Sequence, residues 1–360
     1  MRVTVIIAAR NAETSLGDCV SALTEENDKS HDGEVDLIVV DDGSTDRTAE
    51  IARESGAEVL SIPRSGPAVA RNHGAHRSHG DILLFTDADC VPDRGWIGRM
   101  VKPFLSPGVI ATKGTYRTEQ GALTARFVQC EYESRYQRMR QLESIDFVDT
   151  YSAGYRADLF RSVGGFDESF PTASVEDQEF SFRYGKLGGS MVFVPEAIVC
   201  HRHADTPWRY FRKKLKIGYW KTRVIGRHPK KIIHDSHTPQ MVKAEMLCAL
   251  GILASSPFAT TQAGAAVCLA LATALLTSAL PFISHVLKRD RKVGIVAPFF
   301  VGLRALGLGL GCVAGSWHVI GRRTGGKACS PRSRPRVLGA GHAPAVEGHP
   351  EVEEKRHELV

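Results

Sequence analysis

The sequence contains no CxxC pair and no cysteine spacing of the metal-binding kind; its eight cysteines are scattered from Cys19 to Cys329. A zinc-ribbon or disulfide-stapled scaffold is thereby excluded, and the thiols read as reduced. A strong charge bias is also missing. The 46 Lys and Arg exceed the 40 Asp and Glu by only six, an excess that argues against a nucleic-acid partner and suits phosphates or anionic lipid better. No secretory leader is evident, because Met1-Arg2 runs straight into the strand-length apolar run Val3-Thr4-Val5-Ile6-Ile7, so the N-terminal part is expected to remain cytoplasmic. Finally, residues 263–287 hold no Asp, Glu, Lys or Arg, and residues 293–320 hold only Arg304. Uncharged runs of this length are scarce in soluble domains and long enough to span a bilayer.

From residue 3 to about 199, short β-branched runs alternate with helix-length amphipathic stretches, the pattern of parallel strands joined by helical crossovers. The clearest strands, 3–9, 35–40 and 81–86, are continuously apolar, as expected when helices cover both faces of a sheet. Each ends on polar residues: Arg10-Asn11, Asp41-Asp42-Gly43-Ser44 and Asp87-Ala88-Asp89. In open α/β sheets ligands bind at the carboxyl ends of the strands, so these tips are expected to meet at one crevice. Residues 208–223 (WRYFRKKLKIGYWKTR) place Trp208, Phe211, Leu215 and Tyr219 at helical spacing among Lys and Arg. That describes either a helix on a membrane surface or one packed on the domain. Residues 247–260 form a shorter apolar run interrupted at Ser255-Ser256-Pro257, giving two or three spans in all. Basic residues flank every apolar run, so the positive-inside rule does not select a topology. The segment after Arg322 lacks periodic apolar positions and is expected to be disordered.

Asp87 and Asp89 offer hard oxygen ligands suited to Mg²⁺ or Mn²⁺. Asp41-Asp42-Gly43-Ser44 has the composition of a turn before a helix. Glu176 and Asp177 open a helix with an apolar face at Phe180, Tyr184 and Leu187, where acids also favour the helix dipole. His201 and His203 follow an apolar, strand-like segment; an imidazole there is a third metal donor or a surface group, with His201 the better placed.

Taken in order, the first strand tip, Val39–Asp46, Gly66-Pro67-Ala68-Val69-Ala70-Arg71-Asn72, Thr86-Asp87-Ala88-Asp89-Cys90, Gly164-Gly165-Phe166-Asp167-Glu168 and Glu176-Asp177 with Arg183 resemble the family 2 glycosyltransferases. The resemblance covers about 200 residues. It implies a GT-A fold, an α/β Rossmann-like domain with a mostly parallel sheet, which binds a nucleotide-sugar such as a UDP- or GDP-sugar. It further implies that Ala8, Arg10, Asp42, Arg71 and Asp87 form the donor site, with Asp42 on the nucleobase. Arg10 stands where many relatives carry an aromatic residue. Asp87, Asp89 and His201 are the implied metal ligands, Asp177 the general base and Glu176 a neighbour that orients the acceptor. The expected organisation is a GT-A domain over 1–205, a basic connector over 206–243, a membrane region over 244–320 and a loose tail over 321–360. The expected activity is metal-dependent, inverting transfer to a lipid-linked or cell-surface glycan precursor at the plasma membrane, without nucleic acid. Two alternatives are a nucleotidyltransferase of similar fold, disfavoured by the absence of a Gly- and Lys-containing loop in Ala8-Ala9-Arg10-Asn11-Ala12, and an inactive membrane scaffold, disfavoured by the intact carboxylates.

Overall fold

The computed structural model describes residues 1–27, 33–172, 174–232 and 238–324; the expected loose tail falls outside them from residue 325 on. The first half alternates β1 (Val3–Ala9), α1 (Leu16–Asn27), β2 (Val35–Asp42), α2 (Thr48–Glu54), β3 (Glu58–Ile62), α3 (Pro67–Arg77) and β4 (Ile82–Asp87). Strands β3, β2, β1 and β4 lie side by side and parallel. Because strand side chains alternate, β1 serves two cores at once: Val3, Val5 and Ile7 pack with Leu16, Val20 and Leu23 of α1, whereas Ile6 packs with Ala68, Ala70 and Ala75 of α3.

The short β5 (Cys90–Pro92), α4 (Trp96–Val101), β6 (Val109–Arg117), α5 (Leu123–Met139), β7 (Ser152–Arg156), α6 (Ala157–Ser162), α7 (Glu176–Tyr184) and β8 (Ser190–His201) complete an eight-stranded sheet of order β3-β2-β1-β4-β7-β6-β8-β5. β7 is antiparallel to both β4 and β6, and β5 is antiparallel to β8. The sheet is therefore mixed: β3, β2, β1 and β4 run parallel, and β6 and β8 form a second parallel pair.

Four longer helices follow: α8 (Pro207–Arg227), α9 (Gln240–Ser255), α10 (Gln262–Arg289) and α11 (Arg291–Thr324). The segments Gln240–Phe258, Gln262–Arg289 and Arg291–His318 are long and apolar enough to cross a membrane. The interruption at Ser255-Ser256-Pro257 is a single turn of 3-10 helix that ends the first of them. The basic helix packs against an apolar helix. α8 lies along α11, where a Cβ on Gly311 would come within 2.1 Å of the Leu215 carbonyl and one on Gly218 within 2.3 Å of the Leu308 carbonyl. Gly307, Gly311 and Gly315 recur every fourth residue, which lets the two backbones touch.

Arg304, the lone fixed charge of its apolar run, is buried. It donates to Glu131 of α5 at 3.0 Å and to Glu245 of α9 at 2.7 Å. Glu131 also accepts from Lys214 of α8 at 2.9 Å and Tyr210 at 3.1 Å. These cations, whose attraction outweighs the cost of burial, hold the Glu131 carboxyl at about 2. One charged node thus joins the sheet domain, the basic helix and two apolar helices.

Candidate functional site

The parallel register fixes the crevice. Ala8 pairs with Val40 on one side and Asp87 on the other, and Ala9 pairs with Asp41, so the first, second and fourth strands end together. Asn11 turns the chain with φ +48°, a left-handed conformation that Asn tolerates. Its Oδ1 accepts from the Thr45 amide at 2.9 Å, and Asp41 accepts from the Ser44 amide at 3.0 Å, which clasps the first two tips. Asp42 is buried and accepts from the Ser65 amide at 2.5 Å and the Gly66 amide at 2.9 Å, holding the loop that leads into α3. Arg10 is exposed at the tip of β1.

α3 carries Arg71 inward, where its guanidinium bridges two acids from different elements: Asp87 at 2.8 Å and Glu176 at 3.1 Å. Arg71 and Glu176 are both buried. Glu176 accepts also from the Ser174 amide at 2.7 Å. The preceding Gly164-Gly165 turn is held from two directions. Asn72 accepts from the Phe166 amide at 2.8 Å, and Arg183 donates to the carbonyls of Val163 at 2.6 Å and Gly165 at 2.7 Å. Gly165 has φ +65°, and a Cβ there would meet Asn72 Oδ1 at 2.4 Å, so only glycine fits. Asp177, the next residue after the ion-paired Glu176, is half-buried and, among the described residues, accepts only a short-range bond, from the Gln178 amide at 2.8 Å. Burial and the neighbouring Glu176 push its carboxyl up to about 7, against the opposing charge of Arg71.

The second acid pair is split by the structure. Asp87 turns toward Arg71, while Asp89 meets His201, its Oδ1 lying 3.5 Å from Nδ1. The pairing of β5 with β8 sets Cys90 opposite His201 and so delivers the histidine to the strand tip. Asp89, Cys90 and His201 form a compact donor cluster, and Asp87 lies outside it. Burial works against ionisation of Asp89, yet its side chain keeps 53% of its surface exposed, and the hydrogen bond and charge of His201 hold its carboxyl below the ordinary value. His201 stacks on Tyr116 at 4.6 Å between ring centroids. His203 instead turns into the domain, where Nε2 lies 3.0 Å from Gln129 Oε1. Burial first, then His201 and Lys213, push it down to about 3.

A cavity of about 1120 Å³ opens from Asp87, Glu176 and Asp177, passes beneath α8 and continues between the apolar helices. α8 brings Lys213 and Lys216 to this cavity, and among the described residues neither has an ion-pair or hydrogen-bond partner. Burial pushes Lys216 down although Glu176 pulls it up. The helical spacing of Trp208, Phe211, Leu215 and Tyr219 marks the apolar stripe of this helix, and it does not reveal that Lys213 and Lys216 face the cavity. Cys90 was read only as a reduced thiol, and its contact with His201, 3.7 Å from Sγ to Nδ1, follows from the strand pairing.

The family model described as glycosyl transferase family 2 matches residues 4–164. Glycosyltransferase AglE of Haloferax volcanii is 31% identical over 225 residues, 59% of this chain and 69% of that protein. The pre-mycofactocin glycosyltransferase of Mycobacterium tuberculosis is 28% identical over 239 residues, 64% of this chain; the chain spans about half, 48%, of that relative's length. Among solved structures, the mannosyltransferase PcManGT of Pyrobaculum calidifontis, in complex with GDP-Man and Mn²⁺, superposes with a TM-score of 0.56 at 18% identity, covering 88% of this chain and 87% of that one. This likeness shows the shared GT-A architecture and extends past the sheet domain into the helical part.

Proposed function

This chain belongs to glycosyl transferase family 2, and we propose that it transfers a sugar from a UDP- or GDP-sugar to an acceptor hydroxyl, by single displacement with inversion, while attached to a membrane. The observation that supports this most is the meeting of Asp89 and His201, 3.5 Å apart, beside the cavity that Asp87, Glu176 and Asp177 line. A carboxylate oxygen of Asp89 and an imidazole nitrogen of His201 are donors that Mg²⁺ or Mn²⁺ accepts, with Cys90 Sγ beside them and the Asp87 carboxylate outside the cluster. Asp89 and His201 would hold the ion, with Asp87 the outlying ligand. When bound, such an ion supplies positive charge to a departing diphosphate.

The remaining roles fall to the chain's own groups. Asp42 faces the nucleobase at the end of the second strand, with Ala8 and Arg10 on the adjoining tip. Arg71 ties Asp87 to Glu176, and Asp177 accepts the proton of the attacking hydroxyl. Glu176, fixed by Arg71 and the Ser174 amide, orients the acceptor. α9, α10 and α11 are read as the membrane region, with the sheet domain on the cytoplasmic side of the plasma membrane and a lipid-linked or cell-surface glycan precursor as acceptor.

Membranes that contain the protein, screened with UDP- and GDP-sugars in Mg²⁺ or Mn²⁺, are expected to consume one donor class. Absence of both turnover and binding for every nucleotide-sugar would remove the reading. In the same preparation the protein is expected to sediment with membranes and to stay there through high salt and alkali; release by either treatment refutes spanning.

A further inference from the structure

The cavity changes character along its length. Near Asp177 its wall is polar, and at its far end it is formed by Met241, Met246, Ser278, Phe282, Leu308 and Cys312 of the three apolar helices. Its lining holds eleven Lys and Arg side chains against six Asp and Glu. The acids are largely matched already: Asp87 and Glu176 with Arg71, Glu131 and Glu245 with Arg304, and Asp149 with the buried Lys113 behind the wall. A surplus of cations is left in the middle stretch, between the site and the apolar end.

Arg138 of α5 is the clearest of them. Its Nη1 donates only to Ser134 of its own helix, at 3.2 Å to the carbonyl and 3.4 Å to Oγ, and its Nη2 is buried without a partner. In the same lining, among the described residues, Arg71 Nε and Arg304 Nε are also buried without acceptors, and His285 Nε2 is buried without a partner. Buried polar groups are normally satisfied, so three orphaned guanidinium nitrogens around one cavity call for a ligand rich in acceptors. Burial pushes Arg138 down, and repulsion from Arg135 and Arg304 adds to it, which an anion would relieve. A guanidinium fork matches a phosphate in shape and charge.

We propose that the stretch around Arg138 binds the phosphate of an amphiphilic acceptor, a phosphate ester on a long hydrocarbon chain, whose tail lies against α9, α10 and α11 and whose sugar hydroxyl reaches Asp177. This rests on the transferase reading above and names its acceptor class. A free phosphate shares the head-group chemistry but leaves the apolar end of the cavity without an occupant.

The test uses the full chain in phosphatidylcholine nanodiscs, with binding measured for hexadecyl monophosphate, hexadecanol and inorganic phosphate. Hexadecyl monophosphate is expected to bind, and the other two to bind at least about tenfold more weakly. Arg138→Gln is expected to weaken hexadecyl phosphate binding about tenfold or more, with Arg138→Lys between the two. Arg140→Gln, which removes the same charge from an exposed position outside the cavity, is expected to change nothing. Equal binding by Arg138→Gln and wild type, or equal binding of hexadecanol, overturns the proposal; equal binding of inorganic phosphate makes this a soluble-anion site and overturns the lipid assignment. Nucleotide-sugar binding is measured in parallel by calorimetry. Loss of both ligands in Arg138→Gln marks a structural residue and also overturns the proposal, whereas hexadecyl phosphate binding without any nucleotide-sugar binding leaves the amphiphile site standing and removes the transferase reading together with the acceptor role.

Discussion

Asp177→Asn is expected to lower turnover by about 10²–10⁴-fold, the usual contribution of a general base, with nucleotide-sugar affinity nearly unchanged. The amide keeps the shape of the carboxylate but cannot accept a proton. Among the described residues Asp177 makes no ion pair and accepts only from the amide of Gln178, so the change should leave the surrounding Arg71, Asp87 and Glu176 bridge in place. A carboxyl pushed up to about 7 also predicts the shape of the pH profile. Below that pH the group is protonated and inactive as a base, so kcat/KM should fall on the acid side with a midpoint near 7. Because Glu176 is one of the groups that raises it, Glu176→Gln should move this limb to lower pH and reduce activity less than Asp177→Asn does. The stability sign is opposite to that of an ordinary ion-paired carboxylate. A raised folded-state value means that the folded chain binds more protons than the unfolded one between about pH 4 and 7, so Asp177 weakens the fold as pH rises through that window. Asp177→Asn should therefore melt no lower than wild type at pH 7.5. Near-normal turnover in Asp177→Asn, or a lost donor affinity together with lost turnover, would take the residue out of the role of base.

The second large effect concerns Asp89. Chelation or Asp89→Asn is expected to abolish transfer, and Mg²⁺ or Mn²⁺ should restore the chelated wild type but not the variant. His201→Gln should weaken metal affinity and leave residual activity at high metal concentration. Asp87→Asn should also be severe, but with a different signature. Asp89 is half-exposed and its loss should leave the melting temperature unchanged; Asp87 neutralises the buried Arg71, and its loss should lower the melting temperature as well. Full transfer in excess chelator would sink the metal assignment for all three residues.

The parallel half of the sheet and its three tips were legible because each strand is a local apolar run whose polar end is visible in sequence. The identity of the acids was legible for the same reason. Their partners were not. Arg71 and Glu176 are 105 residues apart on two different helices, and Cys90 and His201 are 111 apart; the second meeting depends on the antiparallel strand β5, which a run as short as Cys90–Pro92 barely announces. Asp87 and Asp89 look equivalent in sequence, two residues apart at one turn, yet Arg71 claims the first and His201 the second. α8 showed an apolar stripe and a basic face, and periodicity alone did not say that glycines on α11 would receive it.

The node around Arg304 bears on where this chain can be cut. Composition suggests a severable unit ending near residue 230, just before the apolar helices. A protein ending there would keep Glu131 and Lys214 but lose Arg304 and Glu245, leaving Glu131 with one cation where it had two. It would also uncover the side of α8 that the glycine face of α11 occupies, where Gly218 now touches Leu308. Such a fragment is expected to self-associate on a sizing column unless detergent is present, while the full chain, extracted whole, elutes as a single species. The sheet domain and the apolar helices are in this sense a single covalent and electrostatic assembly, and the surface that a membrane would see is partly defined by residues the sheet domain supplies.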